Sequence, residues 1–170
     1  TITCPANIVR SNDLNLCGAT VTYTVTATDN CPGVTTTQTA GLASGSFFPV
    51  GVTTNVHRAT DAAGNTSTCS FTVTVNDTQL PVLMCPTGNI NVNNAPNQCA
   101  GVATWAPIMA TDNCPGVVVT FVSGMASGSL FPVGVTTIVY RATDAAGNNT
   151  QCSWTVTVKD VQKPSITCPS

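Results

Sequence analysis

Cysteine is the residue with the most chemistry to offer in this sequence. Nine are present: a first quartet Cys4, Cys17, Cys31 and Cys69, a second quartet Cys85, Cys99, Cys114 and Cys152, and a solitary Cys168. There is no CxxC pair and only one histidine in the chain, so the clustered nitrogen and sulfur donors of a structural zinc site are missing. The thiols read instead as disulfides. Disulfides form and persist in oxidising compartments, which places the protein outside the cell or on its surface. Four cysteines allow three connectivities, and spacing alone does not choose among them.

Carboxylates are the second candidate. All seven acidic residues are Asp and none is Glu. Asp29 and Asp61, with their counterparts Asp112 and Asp144, are expected in loops at the end where each repeat begins. Asp77 closes the first repeat. Asp77, Asp112 and Asp144, helped by Asn113 and Asn148, offer oxygens of the kind that calcium collects in sets of about six to eight. The competing reading is that Asp and Asn fold their own turns through side-chain to backbone bonds. That reading is favoured, so neither metal nor other cofactor is expected.

Catalytic sets fail one by one. His57, the only histidine, aligns with Tyr140 in the second repeat, so a Ser-His-Asp constellation is impossible there; a strand position accepting a ring is the simpler role. No Ser sits in G-x-S-x-G, no pair of carboxylates has glycosidase character, and no Gly-rich stretch matches a phosphate loop. Arg58 and Arg141 recur beside Asp61 and Asp144, as a local ion pair or a strand-surface feature would. The chain is expected not to be an enzyme.

These residues recur because the chain repeats. The stretch from Gly41 to Pro81 returns from Gly124 to Pro164 with 30 of 41 positions identical. TITCP at Thr1 to Pro5 returns as VLMCP at residues 82–86 and SITCP at 165–169. A period of about 83 residues means tandem modules, read as 1–80, 81–163 and the start of a third at 164–170. Modules of this size have thin cores and need staples. Thr20 to Thr28 (TVTYTVTAT), Ser70 to Val75 (SFTVTV) and Ser153 to Val158 (SWTVTV) alternate strictly, the signature of half-buried strands. Turn clusters separate them, among them Asp61-Ala62-Ala63-Gly64-Asn65, and nothing has a helical period. Short strands with turns every 8–12 residues or so predict an all-β antiparallel sandwich. The joints, from Asn76 to Pro81 and from Lys159 to Pro164, are short, end in Pro and lack a Gly/Ser run, which favours a semi-rigid connection.

Only 7% of residues are charged and the net charge is −2, against about 25% charged in an ordinary soluble domain. That balance carries no footprint for nucleic acid or anionic membrane, and no apolar run reaches the ~20 residues of a spanning helix. Thr and Ser fill solvent-facing strand positions, and sequons at Asn65, Asn76 and Asn148 are candidate glycan acceptors.

At FPVGVTT, RATDAAGN and CSFTVTV the sequence resembles the HYR (hyalin repeat) family. The resemblance covers both complete modules and the third beginning, and TDNC, FPVG, ATDAAGN and CS[FW]TVTV stand in the family's order. It implies Ig-like β-sandwiches of extracellular and cell-surface proteins, often in long tandem arrays in bacteria, with adhesive or structural roles and no catalytic residues. Family members that keep only the cysteines matching Cys4 and Cys69 imply the pairs Cys4–Cys69 and Cys17–Cys31, likewise Cys85–Cys152 and Cys99–Cys114, leaving Cys168 unpaired. In an Ig-like sandwich the first and last strands start at one end, which suits Cys4–Cys69; Cys17–Cys31 requires a short strand or returning loop. By loop entropy the long bridge contributes ~4 kcal/mol and the short one ~3 kcal/mol. The expected function is a structural array, a stalk, fibre or filament whose partners are neighbouring repeats, further copies and attached glycans. The alternatives are an adhesin binding glycans or proteins, with Phe47/Leu130 and His57/Tyr140 as differing positions, and a passive spacer for a catalytic domain elsewhere.

Overall fold

A computed structural model describes residues 1–168. Contacts divide the chain into two units, Thr1–Gln79 and a second beginning at Leu80. The first contains β1 (Ile2–Thr3), β2 (Ile8–Ser11), β3 (Gly18–Thr20), β4 (Thr26–Ala27), β5 (Thr35–Ala40), β6 (Phe47–Pro49), β7 (Gly51–Thr60) and β8 (Thr66–Asn76). The second repeats them as β9 (Val82–Met84), β10 (Ile90–Asn93), β11 (Ala100–Val102), β12 (Met109–Thr111), β13 (Val118–Ser123), β14 (Leu130–Pro132), β15 (Gly134–Thr143) and β16 (Asn149–Lys159). No helix occurs among the described residues, and none is long and apolar enough to cross a membrane. Residues 164–168 form no strand; the remainder of the expected third module start lies outside the described residues.

In the first module the main sheet has the order β2-β8-β7-β5, faced by the short pairs β1-β4 and β3-β6. The alternation of SFTVTV builds the core directly: Phe71, Val73 and Val75 point inward from β8 against Ala19, Val21 and Phe48. The second module repeats this with Trp154, Val156 and Val158 against Ala103, Phe131 and Ile138. Thus each module is a two-layered all-β sandwich.

Two departures from the sequence reading are instructive. The first strand is split at Pro5: β1 pairs antiparallel with β4, whereas β2 crosses to the other layer and runs parallel to β8. Pro5 has no N–H to give to a ladder, and Asn7 Oδ1 takes over by accepting the N–H of Thr72 at 2.9 Å. Pro86 and Asn89 repeat the device, with Asn89 Oδ1 accepting from Thr155 at 3.0 Å.

The second departure concerns Thr20 to Thr28, which was expected to be one strand. Its burial alternates as expected, yet only its two ends lie in ladders. Between them the hydroxyl of Ser44 replaces a strand neighbour. It accepts from the N–H of Tyr23 and donates to its carbonyl, both at 2.7 Å. Ser127 serves Trp105 in the same way, at 2.8 and 3.1 Å.

Candidate functional site

The sulfurs define a head and a tail on each module. At the head, where the chain starts, Ile2 pairs with Ala27 and the Asp61–Asn65 turn closes β7 onto β8, Thr60 opposite Thr66. Cys31 belongs here, its N–H donated to Asp29 Oδ2 at 3.3 Å. At the tail, where β8 ends, Ser11 pairs with Asn76 and Gly51 with Val75. Cys17 belongs here, its carbonyl accepting from the N–H of Val50 at 3.3 Å. Module two repeats both ends: the N–H of Cys114 bonds Asp112 Oδ2 at 3.0 Å at the head, and the carbonyl of Cys99 accepts from Val133 at 3.0 Å at the tail.

That placement corrects the short disulfides. Cys4 is bonded to Cys69 with Cα atoms 5.8 Å apart, and Cys85 to Cys152 with Cα atoms 6.6 Å apart. Cys17–Cys31 and Cys99–Cys114 do not form: Cys31, Cys99 and Cys168 are free and exposed, while Cys17 and Cys114 are each in a disulfide. The reason is length. Head and tail are separated by most of β8, roughly nine residues at ~3.3 Å each or about 30 Å, and a disulfide needs Cα atoms within about 7 Å.

The carboxylates fold turns. Asp61 Oδ1 accepts from the N–H groups of Ala63 and Asn65 at 2.9 and 2.8 Å, and Oδ2 accepts from Asn65 Nδ2 at 2.8 Å. Hydrogen bonding by the Asn65 side chain, then by its backbone, holds the Asp61 carboxyl below the usual range. Asp144 holds Asn148 identically, through its N–H and its Nδ2 at 2.8 Å each. Gly64 and Gly147 complete these turns at φ of 87° and 93°, where a side chain is disfavoured. Asp77 Oδ1 accepts from Gln79 at 3.1 Å. Of the suggested calcium ligands, Asp77 lies in the first module, Asp112 and Asp144 in the second, and within its module each gives an oxygen to a turn. Two of the sequon side chains, Asn65 and Asn148, use their amide nitrogen within these turns; Asn76 ends β8, exposed.

His57 is a core ring. It is buried on β7, stacked at 6.3 Å on Phe71 and 5.7 Å from Tyr23 edge-on. Tyr140 occupies the same place, stacked 5.6 Å from Trp154. Arg58 sits on the β7 surface opposite Thr37 and Thr68, and Phe47 and Leu130 are exposed on β6 and β14.

Sequence reasoning missed a clamp at the tail. The N–H of Asn15 donates to Gln79 Oε1 at 2.8 Å, and Gln79 Nε2 returns a bond to Asn15 Oδ1 at 3.1 Å. Thr78 N–H donates to Asn12 Oδ1 at 3.0 Å. The second module has the same set: Asn97 with Gln162 at 2.6 and 2.9 Å and Val161 with Asn94 at 3.0 Å. Asn15 and Asn97 take φ of 61° and 60°, a region Asn tolerates better than most residues. The signal was available as the recurrence of Asn12, Asn15 and Gln79 at Asn94, Asn97 and Gln162.

Both modules are matched by the HYR domain family model, at residues 1–75 and 76–158. Hyalin of Strongylocentrotus purpuratus is 35% identical over 169 residues, covering 96% of this chain and 14% of that protein. Hyalin of Lytechinus variegatus is 34% identical, covering 96% and 31%; the chain thus spans a minor part of both relatives. Among solved structures, human protocadherin-24 EC1-2 aligns with 94% of this chain and 99% of its own at 13% identity, with a TM-score of 0.38. This is a hyalin-like extracellular or cell-surface repeat protein, stapled by disulfides. With both modules matched, the chain belongs to the HYR domain family.

Proposed function

We propose that the chain is a non-catalytic structural segment of an extracellular array, in which successive modules form a semi-rigid stalk or fibre. The observation that carries this reading is the tail clamp. Residues 77–79 look like a linker in sequence, but Asn12 and Asn15 bind them to their own module, as Asn94 and Asn97 bind residues 161–162. Only Leu80 and Pro81 then separate the clamp from β9 at Val82. A connection this short, with a fixed φ at Pro81, leaves few backbone torsions to flex. The chemistry-bearing side chains are spent on the fold: carboxylates on turns, the histidine on the core, four cysteines on the long bridges. Outward Thr and Ser keep the low-charge surface wet, and Asn76, the sequon not engaged in a head turn, is the favoured glycan position.

The second reading is an adhesin. Hyalin-like repeats in a surface protein are compatible with it, and Phe47 and Leu130 are exposed large apolar side chains. Screening the purified chain against a glycan array separates the two. The structural reading predicts no reproducible binder, and a ligand lost on changing Phe47 and Leu130 to Ser would overturn it in favour of adhesion.

A further inference from the structure

Each module carries two cysteine positions outside its long bridge, one at the head and one at the tail. At the tail position Cys17 is bonded while its equivalent Cys99 is free. At the head position Cys114 is bonded while its equivalent Cys31 is free. Both positions are therefore built to form disulfides, and in each case the equivalent residue in the other repeat does so. Within a module they stand about 30 Å apart by strand length and cannot meet. At these two positions the unused thiols are Cys31 at the head of the first module and Cys99 at the tail of the second. Both are exposed. Cys99 also opens onto a cleft of about 500 Å³ lined by Asn97, Asp160, Gln162 and Lys163, beside the chain as it leaves the module.

We propose that Cys99 is a cross-linking site whose partner is a cysteine at the Cys31 position of a following module of the same kind, so that an array is joined tail to head by disulfides. The oxidant is a small-molecule disulfide such as oxidised glutathione. The thiolate of Cys99 attacks one glutathione sulfur and releases one glutathione thiol. The head cysteine, as thiolate, then attacks the Cys99 sulfur of the mixed disulfide and releases the second. Two protein thiols are oxidised, one glutathione disulfide is reduced to two thiols, and the two protons go to the leaving thiolates. The inference concerns bond connectivity, and its test reads out separately from stiffness or ligand binding.

The test joins residue 164 directly to Thr1 of a second full copy, because Ser165 and Thr1 occupy the same phase of the repeat. The purified protein is equilibrated in glutathione buffer, digested without reduction and mapped by mass spectrometry. The expected product links Cys99 of the first copy to Cys31 of the second. Cys99→Ser should leave that Cys31 reactive to maleimide while the far-ultraviolet spectrum is unchanged, since Cys99 is exposed. Both thiols remaining reactive in the parent protein, Cys99 carrying only glutathione, or Cys99 bonded to Cys99 of another molecule would each overturn the proposal.

Discussion

Tyr23 shows how a single side chain is held by this fold. Its hydroxyl donates to the carbonyl of Leu42 at 2.6 Å, and its ring meets Phe71 edge-on at 4.8 Å. Burial raises its pKa above the ordinary phenol value, opposed in part by a hydrogen bond with Gln38. A raised folded pKa stabilises the fold fully below the unfolded value near 10 and loses that contribution as pH rises through the folded value. Thermal unfolding followed between pH 9 and pH 11 or so should therefore show a falling midpoint, with Tyr23→Phe falling less steeply; equal slopes would contradict this assignment. At this scale the sequence was readable where a residue type has few roles. Asp61 and Asp144 were legible as turn residues because Asp readily bonds its own backbone. The roles of Asn15 and Gln79 were not, because their partnership spans 64 residues and nothing local in either stretch demands it.

Strands were legible from alternation and less so from pairing. SFTVTV and SWTVTV alternate because one face is core, and they became the inner parts of β8 and β16. TVTYTVTAT alternates for the same reason, but burial pattern does not reveal whether a backbone neighbour is present. Here the neighbour is one hydroxyl, Ser44, spanning both polar groups of Tyr23. Ser44→Ala should cost about 1 kcal/mol, and Ser127→Ala a similar amount in its own module, as expected for bonds on the exposed side of a sheet. Chemical denaturation of each variant measures this; midpoints matching the parent would show that water replaces the hydroxyl without loss. The failed Cys17–Cys31 pairing belongs to this scale too. That pairing was implied by the family resemblance, whereas the extended segment between the two residues carries the chain from tail to head, and Cys31 is free.

For the whole molecule, repetition carries most of the meaning. Clamp, split first strand, head turn and long bridge all occur twice, in the same positions and with nearly the same distances. The two repeats share the parts that close a module and fasten its outgoing chain, and differ at places such as His57 and Tyr140 inside the aromatic core. The two long bridges close loops of 65 and 67 residues; by chain entropy each contributes about 4 kcal/mol, much of the ~5–15 kcal/mol that a domain normally has. A segment so fastened is suited to hold distance. The most direct measurement is the distance distribution between spin labels, attached through non-cysteine chemistry at the exposed positions Thr37 and Thr120, one per module. The stalk reading predicts a single narrow distribution, widening when residues 77–81 are replaced by a Gly/Ser run. A parent distribution as broad as that of the Gly/Ser variant would contradict it.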